Sequence, residues 1–205
     1  VNYLRGDRTN EQSTANPNAP FRKRDSLLGD FVNSQPVYVG KPPYNPYYEK
    51  ATTPGAADYA AHAESKANRT PMLYVGGNDG MLHGFNALTG VEVFAFVPAA
   101  VVDERLRSYA DPDYEHLYFV DGELTVAEIY DNAWKTVLVG TLGRGGRGVF
   151  ALDVTDPSNI SLLWEKTADD IPNMGNLLGK PIIAEVGPDS DWRVVLGNGP
   201  NGDDD

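Results

Sequence analysis

Leu73-Tyr74-Val75-Gly76-Gly77-Asn78-Asp79-Gly80-Met81-Leu82-His83-Gly84-Phe85-Asn86-Ala87 is the stretch that decides the fold. Two short strand-like runs flank Gly77-Asn78-Asp79-Gly80, a hairpin turn whose residue types tolerate positive φ. Leu88-Thr89-Gly90 then turns the chain into Val91–Val97. The same text returns as Val137-Leu138-Val139-Gly140, a Gly-rich turn, Gly148-Val149-Phe150-Ala151-Leu152-Asp153, and Leu162-Leu163-Trp164-Glu165. A third copy opens at Trp192-Arg193-Val194-Val195-Leu196-Gly197. Each copy follows one more strand-like run: Ser34–Val39, Leu124–Ile129 and Lys180–Val186. The unit is therefore four short antiparallel strands, the pattern of a propeller blade. One four-stranded sheet cannot cover both its faces, so blades stack side by side around an axis. Phe85, Phe150, Trp164 and Trp192 are expected to fill the space between sheets.

The expected class is all-β: an incomplete β-propeller of about two and a half blades with short helical insertions, against the 4–8 blades of a closed ring. Residues 1–27 read as an irregular lead-in and 28–205 as the partial propeller. Within it, blade one covers 28–97, an insertion 98–117, blade two 118–166, and the start of blade three 178–205. One helix is predicted over Asp58–Ala67, with Tyr59, Ala63 and Ala67 on one face and Asn68 ending it. A second follows Pro98, with Val102, Leu106 and Tyr109 on one face and Asp103 paired to Arg107. The competing architecture is a β-sandwich with decorated hairpins. The Asp-rich end reads as a cut through a blade, so a piece of a longer protein is expected.

Composition removes several functions. The 205 residues hold 17 Lys plus Arg against 29 Asp plus Glu, a net charge of −12 that repels phosphate backbones and excludes nucleic acid as the main partner. No run approaches the ~20 apolar residues of a membrane helix, so no membrane span is expected. With no cysteine there is no disulfide, thiolate metal site or thiol nucleophile.

The residues that bear chemistry are few. Arg5-Gly6-Asp7 is the tripeptide that integrins read, in polar, turn-rich surroundings that would expose it; a surface Arg/Asp pair on a Gly turn is the plainer reading. Asn201, Asp203 and Asp205 stand at the first, third and fifth places of an oxygen-ligand Ca²⁺ loop. The Gly and the distal Glu of such a loop do not follow them, and a solvated acidic tail accounts for the run. Asp79 and Asp121 read as turn residues rather than catalytic carboxylates. His62, His83 and His116 lack metal-ligand spacing, and His83, beside Leu82 on a strand, reads as a structural histidine. Leu142–Gly148 is Gly-rich and basic but precedes a strand, so it is not a phosphate loop. Tyr44, Tyr47 and Tyr48 form either an adhesive surface or a loop packed across the blades. No catalytic residue is identified.

Two resemblances add to this. Ala151-Leu152-Asp153-Val154-Thr155-Asp156-Pro157, with Leu163-Trp164-Glu165, is similar to the quinoprotein-type propeller repeat. The longer strings resemble more closely the C-terminal propeller of the PilY/PilC-type pilus-associated proteins of Gram-negative bacteria. Those strings are Tyr74–Ala87 with Thr89-Gly90, His116-Leu117-Tyr118-Phe119-Val120-Asp121-Gly122, Trp134–Gly140 and Leu142–Asp153. The resemblance runs from about Val1 to about Asn198. It implies a non-enzymatic type IV pilus biogenesis factor at the periplasm, outer membrane and pilus tip. Such a factor opposes pilus retraction and supports surface adhesion, twitching motility and virulence. Its implied partners are minor pilins and other pilus-tip subunits, and a host-cell or abiotic surface. The family's D-x-D-x-N calcium loop lies in a later blade, so Ca²⁺ is expected from a loop beyond residue 205 and no cofactor from this segment. The quinoprotein likeness leaves an alternative: part of a quinone-dependent dehydrogenase, with Asp153 as the carboxylate to nominate.

Overall fold

A computed structural model describes residues 1–50, 52–186 and 191–200. The first sheet runs β1 (Val37–Val39), β2 (Met72–Gly76), β3 (Leu82–Asn86) and β4 (Glu92–Phe96), hydrogen-bonded in that order. The second repeats the plan with β5 (Leu124–Tyr130), β6 (Trp134–Thr141), β7 (Gly148–Asp153) and β8 (Ser161–Thr167). β9 (Ile182–Val186) and β10 (Asp191–Val195) form an antiparallel pair that begins a third sheet. Every strand pairing is antiparallel. The strand that opens each sheet touches its counterpart in the next, β1 against β5 and β5 against β9. First strands therefore share an inner position and the sheets radiate from it, as propeller blades do.

Strand burial follows from that geometry. β6 is buried along most of its length because it has a sheet on each side. Leu138 packs with Leu152 and Phe150 toward the first sheet, against Tyr74, Leu82 and Met72. Val137 and Val139, one residue either way, pack with Met174 and Leu178 toward the third. The outermost strands β4 and β8 are largely exposed, Leu162 at 48%. Glycine permits the close approach. A Cβ on Gly76 would sit 2.2 Å from the Val120 carbonyl oxygen, and one on Gly140 would strike the Phe150 ring. Of the aromatics expected between sheets, Phe150 is there. Phe85 instead stacks on His83, on the face of the first sheet turned away from the second, because strand alternation sends it opposite Leu82.

The helical insertions differ in detail from their sequence pattern. α1 spans Ala56–Ser65, starting after left-handed Gly55 and ending before Asn68, and its buried Tyr59 packs edge-on against Trp134. After Pro98 the chain makes a 3₁₀ turn, Ala99–Val101, and then the short α2, Glu104–Ser108. The Asp103 carboxylate accepts from the amides of Arg105 and Leu106, so it caps α2 and breaks the run into two pieces. Val101 is consequently buried and Val102 is 66% exposed, and Asp103 pairs with Arg105 while Arg107 pairs with Glu104.

Residues 1–27 carry no named strand or helix, yet they are anchored. Arg24 is 2% exposed; its Nε donates to Glu11 Oε1 at 2.7 Å and its Nη1 to the Tyr3 carbonyl at 2.7 Å. The same guanidinium lies 3.6 Å over the Tyr3 ring. Arg22 lies over Tyr109 and Tyr114 and donates to the Tyr109 carbonyl, which docks this segment on the 98–117 insertion.

Candidate functional site

Arg5-Gly6-Asp7 sits at the outside of the anchored lead-in. The turn is closed by backbone hydrogen bonds from Arg5 to Val1, Gly6 to Tyr3 and Asp7 to Asn2. Gly6 has φ 94°, a left-handed value that the missing side chain makes cheap. Arg5 and Asp7 are exposed, and Gly6 rests on Leu27. Hydrogen bonds from Thr9, side chain and amide, hold the Asp7 carboxyl below the usual carboxylate range. Arg24 Nη2 donates to the Asp7 carbonyl from behind, at 3.1 Å. The tripeptide is thus presented on a fixed turn. Grooves open on both sides of it: one of about 310 Å³ lined by Tyr3, Asp7, Asn10 and Phe21, the other of about 220 Å³ lined by Arg5, Gly6, Leu27, His83 and Glu92.

The second groove reaches a buried network that sequence reasoning missed. Asp79 and Asp121, read as turn residues, are each 1% exposed and act as acceptors for the segment leading into β1. Asp79 Oδ2 takes the Gly29 amide at 2.7 Å, and Asp121 takes the amide and side-chain nitrogen of Asn33 at 3.1 and 2.6 Å. His83 is a satisfied structural histidine, with Nε2 3.0 Å from Asp79 and Nδ1 2.6 Å from Glu92. Burial alone would lower its pKa, but the hydrogen bonds and charges of Asp79 and Glu92 outweigh burial and raise it. The signal in the sequence is the Asp-Gly pair repeated ahead of β3 and β5. Its partners lie 50 and 88 residues away, which no local pattern reveals.

The other nominated positions fall into structural roles. Asp153 Oδ1 accepts from the Thr155 amide and hydroxyl at 3.0 and 2.6 Å, closing the turn after β7. Tyr47 and Tyr48 belong to a loop packed across the blades. Tyr47 donates to Glu185 on β9, and Tyr48 packs on Trp134 of β6, with Trp192 of β10 nearby. Tyr44 stays exposed at 77%. Asn201, Asp203 and Asp205 lie outside the described residues. Among the described residues, no group of three or more His, Asp or Glu is arranged to hold a metal ion.

The family model described as the PilY1 beta-propeller domain matches residues 28–204. The chain belongs to the PilY1 β-propeller family. It is 57% identical over 203 residues to a protein of Xylella fastidiosa named type IV pilus biogenesis factor PilY1 homolog, covering 98% of this chain and 16% of that protein. It is 46% identical over 203 residues to type IV pilus biogenesis factor PilY1 of Pseudomonas aeruginosa (strain PAK), covering 97% and 17%. The crystal structure of the Pseudomonas aeruginosa PilY1 C-terminal domain superposes with a TM-score of 0.64 at 41% identity, over 81% of this chain and 32% of that one. The PilY1 relatives are therefore several times longer than this chain, and the match sets aside the β-sandwich alternative. No helix among the described residues is long and apolar enough to cross a membrane.

Proposed function

We propose that this chain is part of a non-enzymatic propeller in a type IV pilus biogenesis factor, and that it acts through surface contacts. Membership of the PilY1 family over almost its whole length carries the reading. On it, the protein works outside the cytoplasm, at the periplasm, outer membrane and pilus tip. Its partners are minor pilins and a host-cell or abiotic surface. It supports pilus assembly against retraction, adhesion and twitching, and calcium enters through a loop beyond these blades. The blade limits are those read from the sequence, 28–97 and 118–166, with a third from 178.

Arg5-Gly6-Asp7 is the element we assign to adhesion. Its fixed turn and its exposed charges support a role as an integrin-type ligand. The test is a strain carrying Asp7→Glu, which keeps the charge and displaces it by one methylene. Piliation and twitching should persist while attachment to integrin-bearing cells falls. Unchanged attachment removes the adhesive role.

A further inference from the structure

A pocket of about 240 Å³ lies between the lead-in and the 98–117 insertion, with Arg22, Asp25, Asp30, Tyr109, Tyr114 and His116 on its walls. It shares no charged residue with the two grooves beside Arg5-Gly6-Asp7.

Arg22 is the unusual residue. On a chain with 29 Asp plus Glu, an arginine ordinarily finds a carboxylate, as Arg8, Arg24, Arg69, Arg105, Arg107 and Arg193 do. Half-buried Arg22 has no such partner among the described residues. Its guanidinium is nonetheless fixed. Nε donates to the Tyr109 carbonyl at 2.7 Å, and Cζ stands 4.5 Å from the ring centroids of both Tyr109 and Tyr114. Nη1 and Nη2, which carry most of the donors of an arginine, have no hydrogen-bond partner among the described residues.

Tyr109 is unsatisfied in the same way. The residue is 4% exposed and its hydroxyl has no partner among the described residues, yet that hydroxyl is not sealed in the core as the Tyr74 hydroxyl is. Burial, with the Asp79 charge next, pushes the phenol up to about 12, so it stands as a neutral donor. Tyr114 adds a further donor, since its oxygen accepts from the Leu117 amide at 2.9 Å and its proton is left to give. A fixed guanidinium and a buried hydroxyl, both unpaired beside one pocket, lack an acceptor.

The acids of the pocket narrow what that acceptor is. Asp30 is engaged by His116, whose Nε2 lies 2.9 Å from Oδ2, but exposed Asp25 has no partner among the described residues. A doubly charged phosphate beside two carboxylates is repelled more than one guanidinium attracts it, whereas a singly charged, planar group fits the arginine fork.

We infer that this pocket binds a carboxylate group, paired with Nη1 and Nη2 of Arg22 and hydrogen-bonded by Tyr109. Two parallel charge-assisted bonds fix the carboxylate in plane with the guanidinium, and the tyrosine rings hold that guanidinium in place before the ligand arrives. Asp25 weakens the site, which makes its removal a diagnostic change.

The test is saturation-transfer difference NMR on the full-length protein, with two probes: acetate, and the acetylated and amidated peptide Gly-Glu-Gly. Acetamide and the Gly-Gln-Gly peptide are the uncharged controls. The expected result is saturable binding of both carboxylates, at least about tenfold tighter than their controls. Arg22→Lys keeps the charge but loses the fork and should weaken binding about tenfold. Tyr109→Phe removes only the hydroxyl and should weaken it about threefold to tenfold, while Asp25→Asn should tighten it at least about twofold. The last two substitutions leave the packing as it is, so the test stands even where Arg22→Lys loosens the lead-in. A peptide that binds at least about tenfold tighter than acetate assigns the site to an acidic side chain of a partner protein, and equal binding assigns it to a small free carboxylate; both uphold the inference. No binding of either carboxylate, equal binding of the uncharged controls, or indifference to both Arg22→Lys and Tyr109→Phe overturns it. So does weakening by Asp25→Asn, which would mean that the pocket takes a cationic group.

Discussion

Replacing Arg24 by Met removes the charge that organises the first 27 residues while keeping most of the side-chain volume. In the native protein this guanidinium, 2% exposed, meets a Glu11 carboxylate whose side chain is 5% exposed, with Nη2 2.6 Å from Oε1. It also donates to the carbonyls of Tyr3 and Asp7. Without it, Glu11 is a buried anion left only with Arg8, 3.4 Å away and half exposed. Breaking one side of a buried pair costs about 3–5 kcal/mol. If the segment unfolds with the rest, a protein of this size loses about 2–4 °C of midpoint per kcal/mol, hence about 6–20 °C. If the lead-in frays alone, the loss appears in hydrogen exchange, where the Gly6 and Asp7 amides lose the protection given by Tyr3 and Asn2. Adding Glu11→Leu removes the stranded charge and should recover most of the loss, giving a coupling of about 2 kcal/mol or more in the double-mutant cycle. Additive single-mutant costs, or an Arg24→Met protein with native stability and native amide protection, would refute the claim that this ion pair holds the turn in place.

Other outcomes follow from the blade geometry. Leu138→Ala empties a fully buried position between the first two sheets and should cost about 2–5 kcal/mol in thermal or urea unfolding, whereas Leu162→Ala on the exposed outer strand should change little. Gly76→Ala forces a methyl against the Val120 carbonyl and should cost at least about 1–3 kcal/mol, while Gly179→Ala, with nothing within 4 Å of the new methyl, should be close to neutral. His83 has a raised folded-state pKa, so its contribution is fully present below the unfolded value near 6.5 and is lost as pH rises through the raised one. Stability measured across that window should fall toward alkaline pH, and His83→Gln should flatten the dependence.

The legible parts of this structure are the ones written in short-range pattern. The β2–β3 hairpin is read almost to the residue, because Asn78-Asp79-Gly80 and the flanking alternation are local. The copy at β6–β7 follows by repetition. α2 was harder, since Asp103 serves equally as an ion-pair partner in a longer helix and as the cap of a shorter one, and its bonds to the Arg105 and Leu106 amides select the second. Tertiary pairing hides the rest. Asp79 and Asp121 look like turn residues until Gly29 and Asn33 arrive from far upstream, and the Arg69–Glu128 contact joins residues on different blades. In Arg5-Gly6-Asp7 the exposure was readable, but the rigidity was not, because it comes from Arg24 reaching back across the lead-in.

The central claim, that this propeller segment serves a type IV pilus, is tested most directly by counting surface pili and measuring twitching zones in a strain deleted for the gene. The account predicts few or no surface pili and no twitching, both restored by the full-length gene and not by a copy lacking residues 28–200. Normal piliation and twitching in the deletion strain would contradict it.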